Sequence, residues 1–226
     1  MFIIIIIFVL GTICGSFAIC YGWRFAHHYS ILHPASFCEN CHIPLKKYYL
    51  IPLIGFFIQK GHCTSCHASI STVSLVSEFL MGSYFTLLFL LNNTSPLHLV
   101  FTFGLVLWAL ILSAQDFYSL TVSHNFLLVG GSLLSVGKFA NIHFYLADWS
   151  FSLLFIIILF LFSHFNLLGS GDVIYLTFLF LLLGFYTTLY IILIGSTSAA
   201  LYHFIYAQNK IPFIPFLSFG LLVLLL

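Results

Sequence analysis

Hydrophobic and polar positions in this chain separate into long blocks instead of alternating. Phe2 to about Trp23 is almost unbroken hydrocarbon and ends at Arg24. Roughly 20 apolar residues cross a bilayer as a helix, so this block predicts a first span. Further spans are predicted over about Leu75–Leu91, Leu97–Ala114, Asn125–Phe139 and Trp149–Leu167. Two more fill Val173–Tyr206 with Gly184 as the turn between them, and a last run, Phe213–Leu226, is short for a span. Turns are predicted at Asn92–Pro96, around Asn141–Asp148, and at Gln208-Asn209-Lys210. The fold class expected is an all-α polytopic membrane protein, a bundle of about 7–8 transmembrane helices. Its expected division is 1–74, a span plus a cysteine-rich loop, and 75–226, the remaining bundle.

Composition agrees. The chain is 62% hydrophobic and 5% charged, against about 25% charged for soluble domains. A net charge of +1 points away from nucleic acid as a partner and leaves the lipid bilayer as the obvious one. Met1 to Ile7 has no basic start and no small-residue cleavage site soon after, which reads as a span and not a removable leader.

One long section is polar, about His27 to Ser74. It holds Lys46, Lys47 and Lys60, and with Arg24 gathers four of the six Lys/Arg. The positive-inside bias places it in the cytoplasm and the N-terminus outside. Counting spans from that anchor brings Asp116 and Asp172 to the same, cytoplasmic face. Lys138 falls near the outer face, where a lysine can snorkel.

The same section carries Cys38-Glu39-Asn40-Cys41 and Cys63-Thr64-Ser65-Cys66, separated by 21 residues. Paired thiolates at this spacing suit tetrahedral zinc, and four protein ligands make a structural site. His42, His62 and His67 are spare ligands by position. Cys14 and Cys20 read as small apolar residues of the first span.

The chain has only five acidic residues, so those at membrane depth are functional candidates by default. Asp172 stands in Gly169-Ser170-Gly171-Asp172, and Asp116 follows an earlier apolar run. Two carboxylates close together at low dielectric share a proton. The ionised one takes a proton from water while the protonated one polarises a carbonyl, which is peptide hydrolysis by general acid–base catalysis. Gly169 and Gly171 would permit irregular backbone and close approach of a substrate strand. The bland alternative is that each aspartate caps a helix N-terminus, the reading preferred for Asp148. Glu78, one turn into an apolar run, is either a partner for Arg24 or a lysine, or a supporting residue of the site.

These residues together resemble the type 4 prepilin peptidases, aspartic membrane proteases with a Gly-x-Gly-Asp motif. Gly15-Ser16-Phe17 ending at Arg24 is similar to the family's opening motif. The cysteine pairs bracket Ile51-Pro52-Leu53 and precede Ser77-Glu78-Phe79-Leu80, as in the family. Gly169-Ser170-Gly171-Asp172 resembles its catalytic Gly-x-Gly-Asp, Asp116 its other aspartate, and Ile211-Pro212-Phe213…Pro215-Phe216 its closing motif. The resemblance implies an endopeptidase cleaving the leader of prepilins or pseudopilins at the cytoplasmic membrane face, with Asp116 and Asp172 catalytic. It also implies N-methylation in many members, with S-adenosylmethionine as the cofactor where that activity is retained. Departures are Ile174 for the usual lysine, Ile19 for asparagine, Lys47-Tyr48-Tyr49 for Trp-Tyr-Asp, and Ser123-His124 for Ile-Pro. None removes a carboxylate. Two other classes compete: a proton- or cation-coupled transporter using the same aspartates, and an inactive scaffold.

Overall fold

A computed structural model describes residues 2–91, 96–139, 146–165, 167–207 and 210–226. The turn residues expected at 92–95, 141–145 and 208–209 lie outside these, as do the side chains of Lys138 and Asp148. Every apolar block is helical. The helices are α1 Phe2–Ala26, α2 Ile54–Ile58, α3 Thr72–Leu91, α4 Pro96–Ser119 and α5 His124–Phe139. They continue with α6 Leu146–His164, α7 Ser170–Leu183, α8 Phe185–Tyr206 and α9 Ile214–Leu225. Among the described residues, α1, α3, α4 and α8 are long and apolar enough to cross a membrane, and four shorter apolar helices accompany them. At 1.5 Å rise per residue, helices of 20 to 25 residues reach about 30–37 Å, the thickness of the hydrocarbon core or more. Exposed Leu, Ile, Val and Phe cover their outer faces, as lipid requires. This is a polytopic helical membrane protein.

Two compact units emerge, Met1–Asn93 and Thr94–Leu226. Small residues hold α3 against α1 in the first of them. A Cβ on Gly11 would lie 2.5 Å from the Met81 carbonyl oxygen, and one on Gly15 would lie 2.6 Å from that of Ser77. The two glycines, four residues apart, let α1 and α3 touch backbone to backbone, the means by which membrane helices associate where no hydrophobic drive exists between them.

In the first unit, α1 runs past Arg24 to Ala26. Arg24 is buried and its guanidinium donates to the carbonyls of Ser30, Ile31 and Pro34, while lying over the Phe37 ring at 5.8 Å. Glu78 is not its partner. The Glu78 carboxylate accepts from the Leu53 backbone N–H at 2.7 Å and from the Ser74 hydroxyl at 3.1 Å. Leu53 has φ +62°, a conformation that costs a branched side chain energy unless its surroundings hold it. Glu78 holds it, and so anchors the start of α2.

In the second unit α4 packs on α9 and α5, α5 on α7, and α7 on α6 and α8, while α8 packs on α9. Leu105, Trp108, Leu112, Leu127, Tyr175, Leu179 and Leu217 form the core between them. The turn expected at Gly184 is a single residue between α7 and α8 with φ +87°. A side chain there would meet no neighbour, so glycine is required for its backbone angle alone.

Candidate active site

Asp116 sits three residues before the C-terminal end of α4. A helix C-terminus carries partial negative charge, so a carboxylate there neither caps nor offsets the dipole. The capping alternative fails for this residue. Asp116 is buried, and its Oδ2 accepts from the Ile214 backbone N–H at 3.0 Å. The Phe213 amide adds a second contact. Both donors belong to the start of α9, whose cap residue Phe213 offers no side-chain acceptor of its own. Pro215, the next residue, has no N–H to satisfy. An aspartate from α4 thus closes the N-terminus of α9, where backbone donors and the dipole favour an anion.

Asp172 is in the first turn of α7, whose N-cap is Gly169. Its carboxylate turns back to the Gly169 amide, half of a capping box, so here the capping alternative describes the local geometry. It does not exhaust it, because Asp172 also interacts through charge with Asp116. The two carboxylates lie at the same end of this unit.

The expected irregular backbone at the glycines is corrected. Gly169 has φ −64° and ψ 140°, open to any residue, and Gly171 is helical. Space is what they supply. A Cβ on Gly169 would be 3.0 Å from Asp172 Oδ2, and one on Gly171 would be 2.6 Å from Val122 Cγ2. Gly171 lets the start of α7 close onto the connection after α4. Ile174, at the position where a lysine was expected, packs against the apolar core.

That connection is itself pinned. The Gln115 side-chain carbonyl accepts from the Ser123 N–H at 2.7 Å, and the Ser123 hydroxyl caps α5 by accepting from Phe126 N–H at 3.4 Å. Gln115 Nε2 is buried and has no hydrogen-bond partner among the described residues. Sequence reasoning passed over Gln115, Ser113, Tyr175 and Ser218. Their signal was available as polar atoms inside apolar runs, which are costly unless paired.

In the first unit, Cys38, Cys41, Cys63 and Cys66 bring their four sulfurs within 4.8 Å of one another. The cross-pair separations are 3.8 Å for Cys38–Cys66 and 3.9 Å for Cys41–Cys63. A tetrahedral site with Zn–S of about 2.3 Å has edges of about 3.8 Å, so the cluster fits a metal of that size. Both halves are built alike. In each, the first cysteine and the residue two beyond the second pair by backbone, Cys38 N–H to Ile43 C=O and Cys63 N–H to Ala68 C=O. In each, a histidine follows at positive φ, His42 at +56° and His67 at +58°. No histidine joins the cluster among the described residues. Backbone N–H groups of Cys66 and Ser65 hold the Cys63 thiol down to about 6. The Ile43 amide favours the Cys41 thiolate, but burial and the neighbouring sulfurs outweigh it and push that thiol up to about 11.

Residues 9–91 match the description Bacterial Peptidase A24 N-terminal domain, and residues 103–204 match Type IV leader peptidase family. The chain belongs to the type IV leader peptidase family. Two curated relatives are similar over part of the chain. A Bacillus subtilis (strain 168) protein named Prepilin leader peptidase/N-methyltransferase is 39% identical over 80 residues, 35% of this chain and 32% of that one. A Neisseria gonorrhoeae protein of the same name is 30% identical over 59 residues, 26% of this chain and 21% of its own. The aligned part of the chain thus spans about a third or less of these relatives. No solved structure matches. The leader peptidase match ends at residue 204, before α9, which supplies the donors to Asp116.

Proposed function

We propose that this family member is a membrane-embedded aspartic endopeptidase that removes the leader of type IV prepilins or pseudopilins. The observation that carries this reading is that Asp116 and Asp172, from the end of α4 and the start of α7, lie at the same end of the second unit and interact through charge. In the proposed reaction the pair shares one proton. The ionised carboxylate removes a proton from a water molecule as that water attacks the scissile carbonyl carbon. The protonated one donates to the carbonyl oxygen; the proton taken from water then passes to the amide nitrogen, the C–N bond breaks to release the amine, and a hydroxyl proton of the collapsing diol returns to the pair. Ile214 and Phe213 N–H groups orient Asp116, and the Gly169 amide orients Asp172. The site faces the cytoplasm, where a basic leader stays while the apolar helix of the pilin docks between spans. The four cysteines hold a structural zinc that organises the polar loop. The relatives' names also include N-methyltransferase, and S-adenosylmethionine is a cofactor here only under that second activity.

The test is cleavage of a purified prepilin in liposomes by wild type, Asp116→Ala and Asp172→Ala. Mature product from wild type and none from either folded variant supports the pair. Full cleavage by either variant rules out a two-carboxylate mechanism.

A further inference from the structure

The second unit holds a buried polar network that the proposed chemistry does not use. The Ser113 and Ser218 hydroxyls are 2.7 Å apart, and the Tyr175 hydroxyl is 2.9 Å from Ser218. Ser113 is also 2.7 Å from the Ala109 carbonyl. Tyr175 is fully buried and Ser218 nearly so. Each hydroxyl carries one proton. With Ser113 donating to the Ala109 carbonyl, Ser218 donates to Ser113 and Tyr175 donates to Ser218, so every proton finds an acceptor. Three hydroxyls in an otherwise apolar core are expensive if one partner is lost and specify a single arrangement when all are satisfied.

Their positions in the chain are informative. Ser113 lies three residues before Asp116 on α4. Tyr175 lies three residues after Asp172 on α7. Ser218 lies four residues after Ile214, the donor to Asp116, on α9. Side chains three or four apart share a helix face. α4 ends at the aspartates while α7 and α9 begin there, so all three steps run inward. The network therefore sits one turn below the pair and ties together the three helices that present it. Stacking of Tyr175 on Trp108 of α4, with ring centroids 5.1 Å apart, reinforces the same register.

We infer that Tyr175, Ser218 and Ser113 are positioning residues that set the separation of Asp116 and Asp172 by locking the register of α4, α7 and α9. This rests on the proposed catalytic role of the two aspartates. The network touches neither substrate nor water in the reaction; it acts through helix register. Ångström-scale misplacement of reacting groups costs catalysis heavily while leaving substrate affinity to surfaces elsewhere.

The experiment measures kcat and KM for prepilin cleavage, with thermal unfolding in the same detergent. It compares wild type, Tyr175→Phe, Ser218→Ala, the double variant, Asp116→Asn and Asp172→Asn. Tyr175→Phe keeps the ring and its packing. The expected result is a kcat reduced about tenfold or more in each network variant, with KM within about twofold. The double variant is expected to be no worse than the poorer single one, because one network is broken once. Wild-type kcat in Tyr175→Phe and Ser218→Ala, with both aspartate variants inactive, overturns the inference and leaves the aspartate pair standing. A loss fully accounted for by a smaller folded fraction also overturns it. Wild-type cleavage by either Asp→Asn variant removes both readings together.

Discussion

Asp116 Oδ2 and the Ile214 backbone N–H meet at 3.0 Å across 98 residues of chain. The bond joins a carboxylate on the wrong end of its own helix to the right end of another. It separates two roles of Asp116 that substitution can distinguish. Asp116→Asn keeps an oxygen to accept from Ile214 and is expected to unfold near the wild-type temperature, with prepilin cleavage lowered at least about 100-fold. Asp116→Ala leaves a buried amide unsatisfied and is expected to lose about 1–3 kcal/mol of stability as well. Thermal unfolding in detergent beside the cleavage assay checks both. Equal stability of the two variants would remove the structural role.

Gly171→Ala is expected to impair cleavage although it leaves every polar group in place. The added Cβ would lie 2.6 Å from Val122 Cγ2, and the β-branched valine has little rotamer freedom with which to yield. Overpacking of this kind costs about 1–3 kcal/mol. Val122→Ala removes the obstructing methyl, so the double variant is expected to recover most of the activity. Failure of the second substitution to restore activity would place the effect of Gly171 elsewhere.

Zinc binding to the protein is expected to release protons at neutral pH. The Cys63 thiol, held down to about 6, is already ionised there, whereas Cys41, pushed up to about 11, still carries its proton. Four thiolates are needed around the metal, so Cys41 must give its proton up. As pH falls through about 6, Cys63 is protonated too and affinity is expected to drop more steeply. Calorimetry in two buffers of different ionisation enthalpy reads the release. Binding with no proton release would exclude the thiols as ligands. Chelation, or Cys38→Ser with Cys66→Ser, is expected to make residues 36–70 protease-sensitive.

Glu78→Ala is expected to loosen the polar loop without touching the cysteines. Leu53 then holds φ +62° without the hydrogen bond from its N–H to Glu78 Oε2, and a conformation of that kind costs about 1–3 kcal/mol. Hydrogen exchange at Leu53 to Ile58 should speed up in the variant. Unchanged exchange there would show that Glu78 does not support this backbone.

The apolar blocks made most of the helices legible, since each block long enough to cross a bilayer became one. Even the isolated Gly184 read correctly as a turn. The tetracysteine cluster was legible because spacing alone constrains where two knuckles can go. What stayed hidden depended on which surfaces face one another. Gly11 and Gly15 do not show in the sequence that they are contact points until α3 is laid against them. Gly169 and Gly171 advertised backbone freedom, but their contribution is the room they leave for Asp172 and Val122. Glu78 invited an ion pair with Arg24, but carbonyls satisfy the arginine and a backbone amide satisfies the glutamate. Ser113, Tyr175 and Ser218 sit 43 to 105 residues apart, and no local pattern links them.

The bond between Asp116 and Ile214 also dictates an order of biosynthesis. Both aspartates are translated and inserted well before α9 leaves the ribosome. Until then Asp116 lacks the amides that orient it, and the hydroxyl of Ser218 is missing from beneath the pair. The nascent chain therefore carries Asp116 and Asp172 ahead of the helix that orients them, and the proposed site is complete only once α9 has joined it.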